Sequence, residues 1–339
     1  MSNKLTDRFF QKGRDFLGCD YPFICGAMTW ISDPKLVASV CNAGGFACLA
    51  GGNTPPDILE KQIDETKKLT EGNFAVNLIT IAPAYKDHLE LIKRKKLKYI
   101  VFAGSFPREN EIKIAKETGA KVMCFASTLS IAKRMVRYGA DAIVLEGMEA
   151  GGHVGHVSLT ILLQQVLFEL SDIPTFVAGG IGTGKMAAHM FLMGAAGVQL
   201  GTRFAVADES CADKKFKEVF FRANARDAVS TPQFDSRLPV VAVRALRNKG
   251  MEAFGQLQLE LLKKMETGEI HREDAQIEVE KYWMGALRSA VIEGNVKSGS
   301  LMAGQSVGLL TKPETVQEII DDLVAESEKE FNHVKSMLA

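Results

Sequence analysis

PTFVAGGIGTGKMAAHMFLMGAAGVQLGT, residues 174–202, holds two strand-length apolar runs with a helix-length segment between them. Pro174 to Gly180 and Gly197 to Thr202 are unbroken rather than alternating, the pattern of parallel strands buried on both faces. GAAG at 194 supplies glycine where a helix C-cap precedes the next strand. Six similar runs come earlier: Pro22 to Met28, Phe46 to Gly52, Phe74 to Ile79, Tyr99 to Gly104, Lys121 to Ala126 and Ala142 to Gly147. Between them lie segments with helical periodicity, such as Pro56 to Leu69 and Leu129 to Tyr138. Eight βα units in succession predict a (β/α)8 TIM barrel within an α/β class, with a doubly wound open sheet as the alternative.

Beyond Thr202 the pattern changes. Residues 209 to 295 read as mostly helical, with long amphipathic segments at Met251 to Glu266 and Ala275 to Glu293 and no strand alternation. The expected division is a barrel over 1–208, a small helical cap near its mouth over 209–300, and a segment over 301–339 returning to the barrel. Pro313 to Leu338 reads as that segment's helix, acidic early and basic late as the macrodipole favours.

Composition excludes several classes. The 41 basic residues balance 41 acidic ones, so net charge argues for neither nucleic acid nor membrane as a partner. No apolar run reaches the roughly 20 residues that span a bilayer, and MSNKLTDRFFQKGRDF lacks a signal peptide's apolar stretch. Six scattered cysteines without a CxxC pair read as reduced thiols, not a disulfide or zinc framework, and a cytoplasmic location is expected.

In a barrel of this kind ligands lie at the C-terminal ends of the strands. EGMEAGGHVGH, residues 146–156, is a glycine-rich strand-to-helix loop carrying a histidine. Gly151 and Gly152 let a ligand approach the main chain, and His153 suits proton or hydrogen-bond work near neutral pH. A tight turn with a solvated histidine is the plainer reading. His156 is close enough to share the site, but the pair lacks the further ligands a zinc ion needs. Loops seven and eight read AGGIGTGK and QLGTRF, where backbone N–H groups can hold a phosphate. Neither is a Walker A frame, and the first lacks the acidic partner of a dinucleotide fingerprint.

EGMEAGGHVG (146–155), VAGGIGTGKMAAHMFLMGAAGVQLGTRF (177–204) and GSLMAGQSVGLL (299–310) resemble the FMN-dependent group that holds enoyl-ACP reductase II and the nitronate monooxygenases. The resemblance runs from YPFICGAMTW at 21–30 to the last helix. It implies FMN across the barrel mouth, bordered by Gly26, Ala27 and Met28 and hydrogen-bonded by Asn77. Gly179, Gly180, Gln199, Gly201 and Thr202 would hold the ribityl phosphate, with Ala178, Leu200, Gly151 and Gly152 in the same cofactor set. The family's site histidine corresponds to His153, and no metal is implied.

Two branches share this pattern. Reductases take hydride from NADPH or NADH through FMN to a 2-enoyl thioester in fatty acid synthesis. Monooxygenases oxidise alkyl nitronates with oxygen. EGMEAGGH and AVRALRN (242–248) look closer to the reductases, and MCFAST stands where many monooxygenases carry a Lys-Cys pair. Acyl carrier protein or an acyl thioester is then the expected partner, and a homodimer is admitted. Ten Lys or Arg against six Asp or Glu between Arg203 and Lys249 would suit an acidic carrier, although an ordinary solvated surface explains them as well. A non-catalytic FMN-binding sensor or assembly subunit is the alternative from another class.

Overall fold

Runs of β-branched and aromatic residues buried on both faces leave parallel pairing as the way to satisfy their backbone. In the computed structural model, which describes residues 4–338 apart from positions 53, 81, 105, 171 and 241, they close on themselves. The barrel strands are β1 (Phe23–Cys25), β2 (Phe46–Leu49), β3 (Phe74–Leu78), β4 (Tyr99–Phe102), β5 (Lys121–Ala126) and β6 (Ala142–Glu146). A two-residue strand, β7 (Gly152–His153), stands outside the barrel, which continues with β8 (Thr175–Ala178) and β9 (Gly197–Leu200). All pairs in the barrel are parallel, and β9 returns to β1 with Phe23 opposite Val198. The expected (β/α)8 barrel is the fold observed.

Alternation within each strand divides its residues between two cores. Ile24, Phe46, Cys48, Ala75, Val101, Met123, Val144 and Phe176 fill the barrel interior. Cys25, Leu49, Val76, Phe102, Val122, Leu145 and Val177 face the helices outside. The bottom is plugged by the chain's start: α1 (Leu5–Phe9) leads into α2 (Gln11–Leu17), whose Phe16 and Leu17 join the interior core. Tyr99 Oη and Lys121 Nζ both donate to the Phe16 carbonyl, at 2.8 and 2.7 Å.

The outer layer holds α3 (Pro34–Asn42), α4 (Pro56–Leu69), α5 (Tyr85–Arg94), α6 (Glu109–Glu117), α7 (Leu129–Arg137), α8 (Leu159–Leu162) and α9 (Gly184–Leu192). α8 passes directly into a π-helical turn at Leu163–Leu167. Only a four-residue helix, α10 (Thr202–Ala205), follows β9. The C-terminal helix, described below, packs on α9, α3 and α10 and completes the layer there.

The helices beyond the barrel are α11 (Lys214–Arg222), α12 (Lys249–Glu266), α13 (Arg272–Glu293) and α14 (Val316–Met337). The reading of 209–295 without strands needs correction. Ala228–Ser230 and Val243–Leu246 form β10 and β11, an antiparallel pair that takes β7 as its third strand. Val243 sits opposite His153 and Arg244 opposite Gly152. The GGH loop is thus partly a strand, held by a segment some ninety residues further on. Val243 also joins Leu238, Phe254, Leu261, Val279 and Trp283 in a third core that seats α12 and α13 on this sheet. No helix among the described residues is long and apolar enough to cross a membrane, and all six cysteines are free thiols.

Candidate active site

The interior-facing series of each strand continues into the mouth. Two residues beyond Ile24, Ala75, Val144 and Ala178 stand Gly26, Asn77, Glu146 and Gly180. The Gln199 side chain lies across Gly26, where a Cβ would come within 2.9 Å of its Nε2. Asn77, 8% exposed, directs Nδ2 at the carbonyls of Leu78, Val101 and Ala103 at 3.2–3.3 Å. Its Oδ1 accepts no hydrogen bond among the described residues. The Glu146 carboxyl makes no hydrogen bond among the described residues, and burial pushes it up to about 8. Near neutral pH it is therefore largely a neutral O–H donor facing the mouth.

Loop one is braced by Ser32, whose Oγ donates to the Gly26 carbonyl at 2.8 Å and accepts from Met28 N–H at 2.9 Å. Ala27 and Met28 pack against the inner and outer cores. In loop seven Gly179 and Gly180 have φ of +99° and +72°, a left-handed pair that only glycine adopts cheaply. Successive N–H groups in such a turn make a concave anion site. The start of α9 is not part of it, because Glu326 from α14 already accepts from Gly184 N–H at 2.7 Å. In loop eight Gly201 caps α10, and a Cβ there would meet only Met28 Sδ at 3.7 Å. Thr202 Oγ1 accepts from Gly304 N–H at 3.0 Å.

Arg203 turns away from the mouth. It donates to Glu314, Asp322 and the Gly182 carbonyl at 2.7–3.1 Å, tying loop seven to the C-terminal segment. Other cations of the basic count are also engaged. Arg237 pairs with Asp235 and Glu266, and Lys217 donates to the carbonyls of Ala207 and Ser210. Arg244 is buried, donating to the carbonyls of Met148 and Ala228.

The glycine loop after β6 is fixed from several sides. Glu149 accepts from Leu159 N–H at the start of α8, and its carbonyl accepts from Gln305 N–H at 2.9 Å. A Cβ on Gly151 would lie 2.6 Å from the Ala303–Gly304 backbone, so GSLMAGQ closes over this loop. His153 stands on the side sheet, half-exposed, with Nε2 3.8 Å from Glu280 Oε2 on α13. His156 is exposed and makes no polar contact among the described residues.

Gly26, Ala27, Met28, Asn77, Ala178, Gly179, Gly180, Gln199, Leu200, Gly201 and Thr202 therefore stand at the C-terminal end of the barrel, Gly151 packs against the Ala303–Gly304 backbone that also meets Thr202, and Gly152 and His153 lie on the side sheet, with His153 beside α13. Sequence reasoning passed over Glu146, Ser32, Arg244 and Glu280. Glu146 had a signal, a carboxylate ending an apolar strand. Glu280 had none.

The Asn77 amide oxygen and the Glu146 carboxyl, without partners among the described residues, stand near a left-handed glycine turn, an arrangement that suits a polar ring carrying a phosphate. Such an arrangement on a (β/α)8 barrel suits a flavin-dependent oxidoreductase. A family model described as nitronate monooxygenase matches residues 12–93 and 79–326, and the chain belongs to that family of FMN-dependent enzymes. FabK from Thermotoga maritima superposes with a TM-score of 0.84 at 31% identity, covering 99% of this chain and 100% of that one. A "(3aS,4S,5R,7aS)-5-hydroxy-7a-methyl-1-oxo-octahydro-1H-indene-4-carboxyl-CoA dehydrogenase" from Rhodococcus jostii (strain RHA1) is 30% identical over 96% of this chain and 98% of its own. A probable nitronate monooxygenase from Staphylococcus aureus (strain MRSA252) is 29% identical over 71% of this chain and 79% of its own.

Proposed function

We propose that this protein reduces the C2–C3 double bond of a 2-enoyl thioester, trans-2-enoyl-ACP in fatty acid synthesis, at the expense of NADPH or NADH. The observation that carries the reading is the placement of His153. A strand ladder holds it beside α13, in the same glycine loop whose Gly151 packs on the segment that meets Thr202. FMN, when bound, supplies a centre that takes up hydride and gives it to carbon.

The chain's own residues do the rest. The N–H groups of Gly180 and Gly201 would hold the phosphate. Asn77 Oδ1, Gln199 and the neutral Glu146 carboxyl would meet the polar edge of the ring. His153 would donate a hydrogen bond to the thioester carbonyl or a proton to the substrate. Likeness to FabK, an enoyl-ACP reductase II, over the full length of both chains supports an acyl thioester. So does the carboxyl-CoA in the name of the Rhodococcus relative. An acidic carrier would dock through what remains of the basic surface.

Nitronate oxidation is the second reading, favoured by the family model and the Staphylococcus relative. Against it, Phe125 continues the interior series at the end of β5 and makes that corner apolar. An anaerobic stopped-flow experiment separates the readings. Flavin in the purified protein should bleach on adding NADPH or NADH and recover its colour with a crotonyl thioester. Oxygen-dependent consumption of propyl nitronate without thioester reduction would make it a monooxygenase, and bleaching by neither nucleotide nor nitronate would leave a flavin-binding subunit.

A further inference from the structure

We infer that Glu280 is a positioning residue for His153, through which the cap helix α13 takes part in proton delivery. The inference rests on the proton-donating role proposed above. Directly opposed residues of an antiparallel pair point to the same face. Val243, opposite His153, is buried among Val279 and Trp283 of α13, so the imidazole faces that helix too. Glu280 follows Val279, and its Oε2 lies 3.8 Å from His153 Nε2. It has no other polar partner among the described residues, whereas the neighbouring Glu278 is paired with Lys281 at 2.9 Å. Nothing else polar engages the imidazole among those residues.

That distance is too long for a hydrogen bond. Nε2 therefore keeps its donor direction for a substrate oxygen or carbon while still feeling the carboxylate. Positive charge builds on the ring whenever it holds the proton to be delivered. Glu280 opposes that charge and biases the ring toward one orientation. The proton given to the substrate leaves Nε2 and is replaced from solvent, which reaches the half-exposed ring. Because Glu280 belongs to α13 and His153 to β7, the donor is complete only with the cap seated.

The test uses the full FMN-loaded chain. Glu280→Gln should leave flavin content, melting temperature and the rate of flavin bleaching by NADPH unchanged. It should slow flavin recovery with crotonyl-CoA about fivefold, the scale of a half-exposed ion pair, as a loss in kcat with KM unchanged. Glu280→Asp should restore part of the rate. Glu280→Gln in a His153→Ala background should cost nothing further. In apo-protein labelled with 15N-histidine, Glu280→Gln should move the His153 ring resonances. Unmoved resonances, or equal and additive losses in the double variant, would overturn the pairing while the functional reading stands. If His153→Ala alone spares both half-reactions, the proton-donating role of His153 falls and the pairing with it, while the reductase reading stands.

Discussion

Gly201→Ala separates a glycine kept for a ligand from one kept for the fold. Gly201 has φ −112° and ψ −65°, and its added methyl would meet only Met28 Sδ at 3.7 Å. An L-residue is unstrained there, and reduced freedom of the unfolded chain contributes about 0.4–1 kcal/mol in its favour. Loss of glycine at a helix N-cap works against this by a similar amount. Stability of the apo-protein should therefore change by no more than about 0.5 kcal/mol. The methyl projects into the space where a phosphate would meet the Gly201 N–H. Losing one charge-assisted hydrogen bond costs about 1.5–3 kcal/mol, a rise in Kd for FMN of roughly 10- to 100-fold. Gly180→Ala is the control. Its φ of +72° imposes about 1–2 kcal/mol of strain, and its Cβ would lie 3.2 Å from Glu149 Cβ, so apo stability should fall as well. Urea unfolding of the apo-protein and titration of FMN by fluorescence quenching read the two quantities. An unchanged Kd in Gly201→Ala, or equal losses of folding and flavin affinity, would refute a phosphate at loop eight.

His153→Ala should retain FMN and bleach normally with NADPH, yet recover with the thioester about 100-fold more slowly, measured by single-turnover stopped flow. Normal rates in both halves would make the histidine a bystander. Glu146 has a folded-state pKa raised to about 8, so its stabilising contribution is full below the unfolded value and is lost as pH rises through that figure. Glu146→Gln should therefore make the apo-protein more stable than the parent, with the gap widening between about pH 4.3 and 8 and constant above. Its partial exposure to the mouth limits the gain to about 1–3 kcal/mol by urea unfolding. A pH-independent gap would mean the carboxyl is solvated. Arg203→Ala leaves the largely buried Glu314 without its guanidinium, Asp322 being well solvated, and should cost about 1.5–3 kcal/mol in the same assay. It should also weaken FMN, since the Gly182 carbonyl loses its anchor.

All eight barrel strands were legible because burial on both faces leaves unbroken apolar runs, and Lys121–Ala126 has the bounds expected. Several other runs outlast their strands at the C-terminal end, and the overshoot has a cause. Pro22 to Met28 shrinks to Phe23–Cys25, and Gly197 to Thr202 to Gly197–Leu200. The surplus residues, Gly26 to Met28 and Gly201 to Thr202, belong to the mouth. There the chain stays small and apolar after the ladder has ended, as the proposed cofactor site requires. β10 and β11 were illegible for the opposite reason. They are three and four residues long, one carries a buried arginine, and β11 pairs with a loop ninety residues earlier. Nothing local marks such a strand.

The same physics divides the candidate site. The side proposed for the phosphate depends on φ angles and on room beside the main chain, which are local properties, and glycine reports them directly in the sequence. Its proton side depends on a chain of long-range contacts. β11 sets the plane of β7, Val243 seats α13 against it, and α13 carries Glu280 to His153. Sequence spacing reveals the imidazole but not the direction in which it points. The two sides should accordingly fail independently. Damage to the cap core at Trp283 or Phe254 would misplace Glu280 and slow substrate turnover while the barrel kept its flavin, whereas damage to loop seven or eight would lose flavin with His153 still in its ladder.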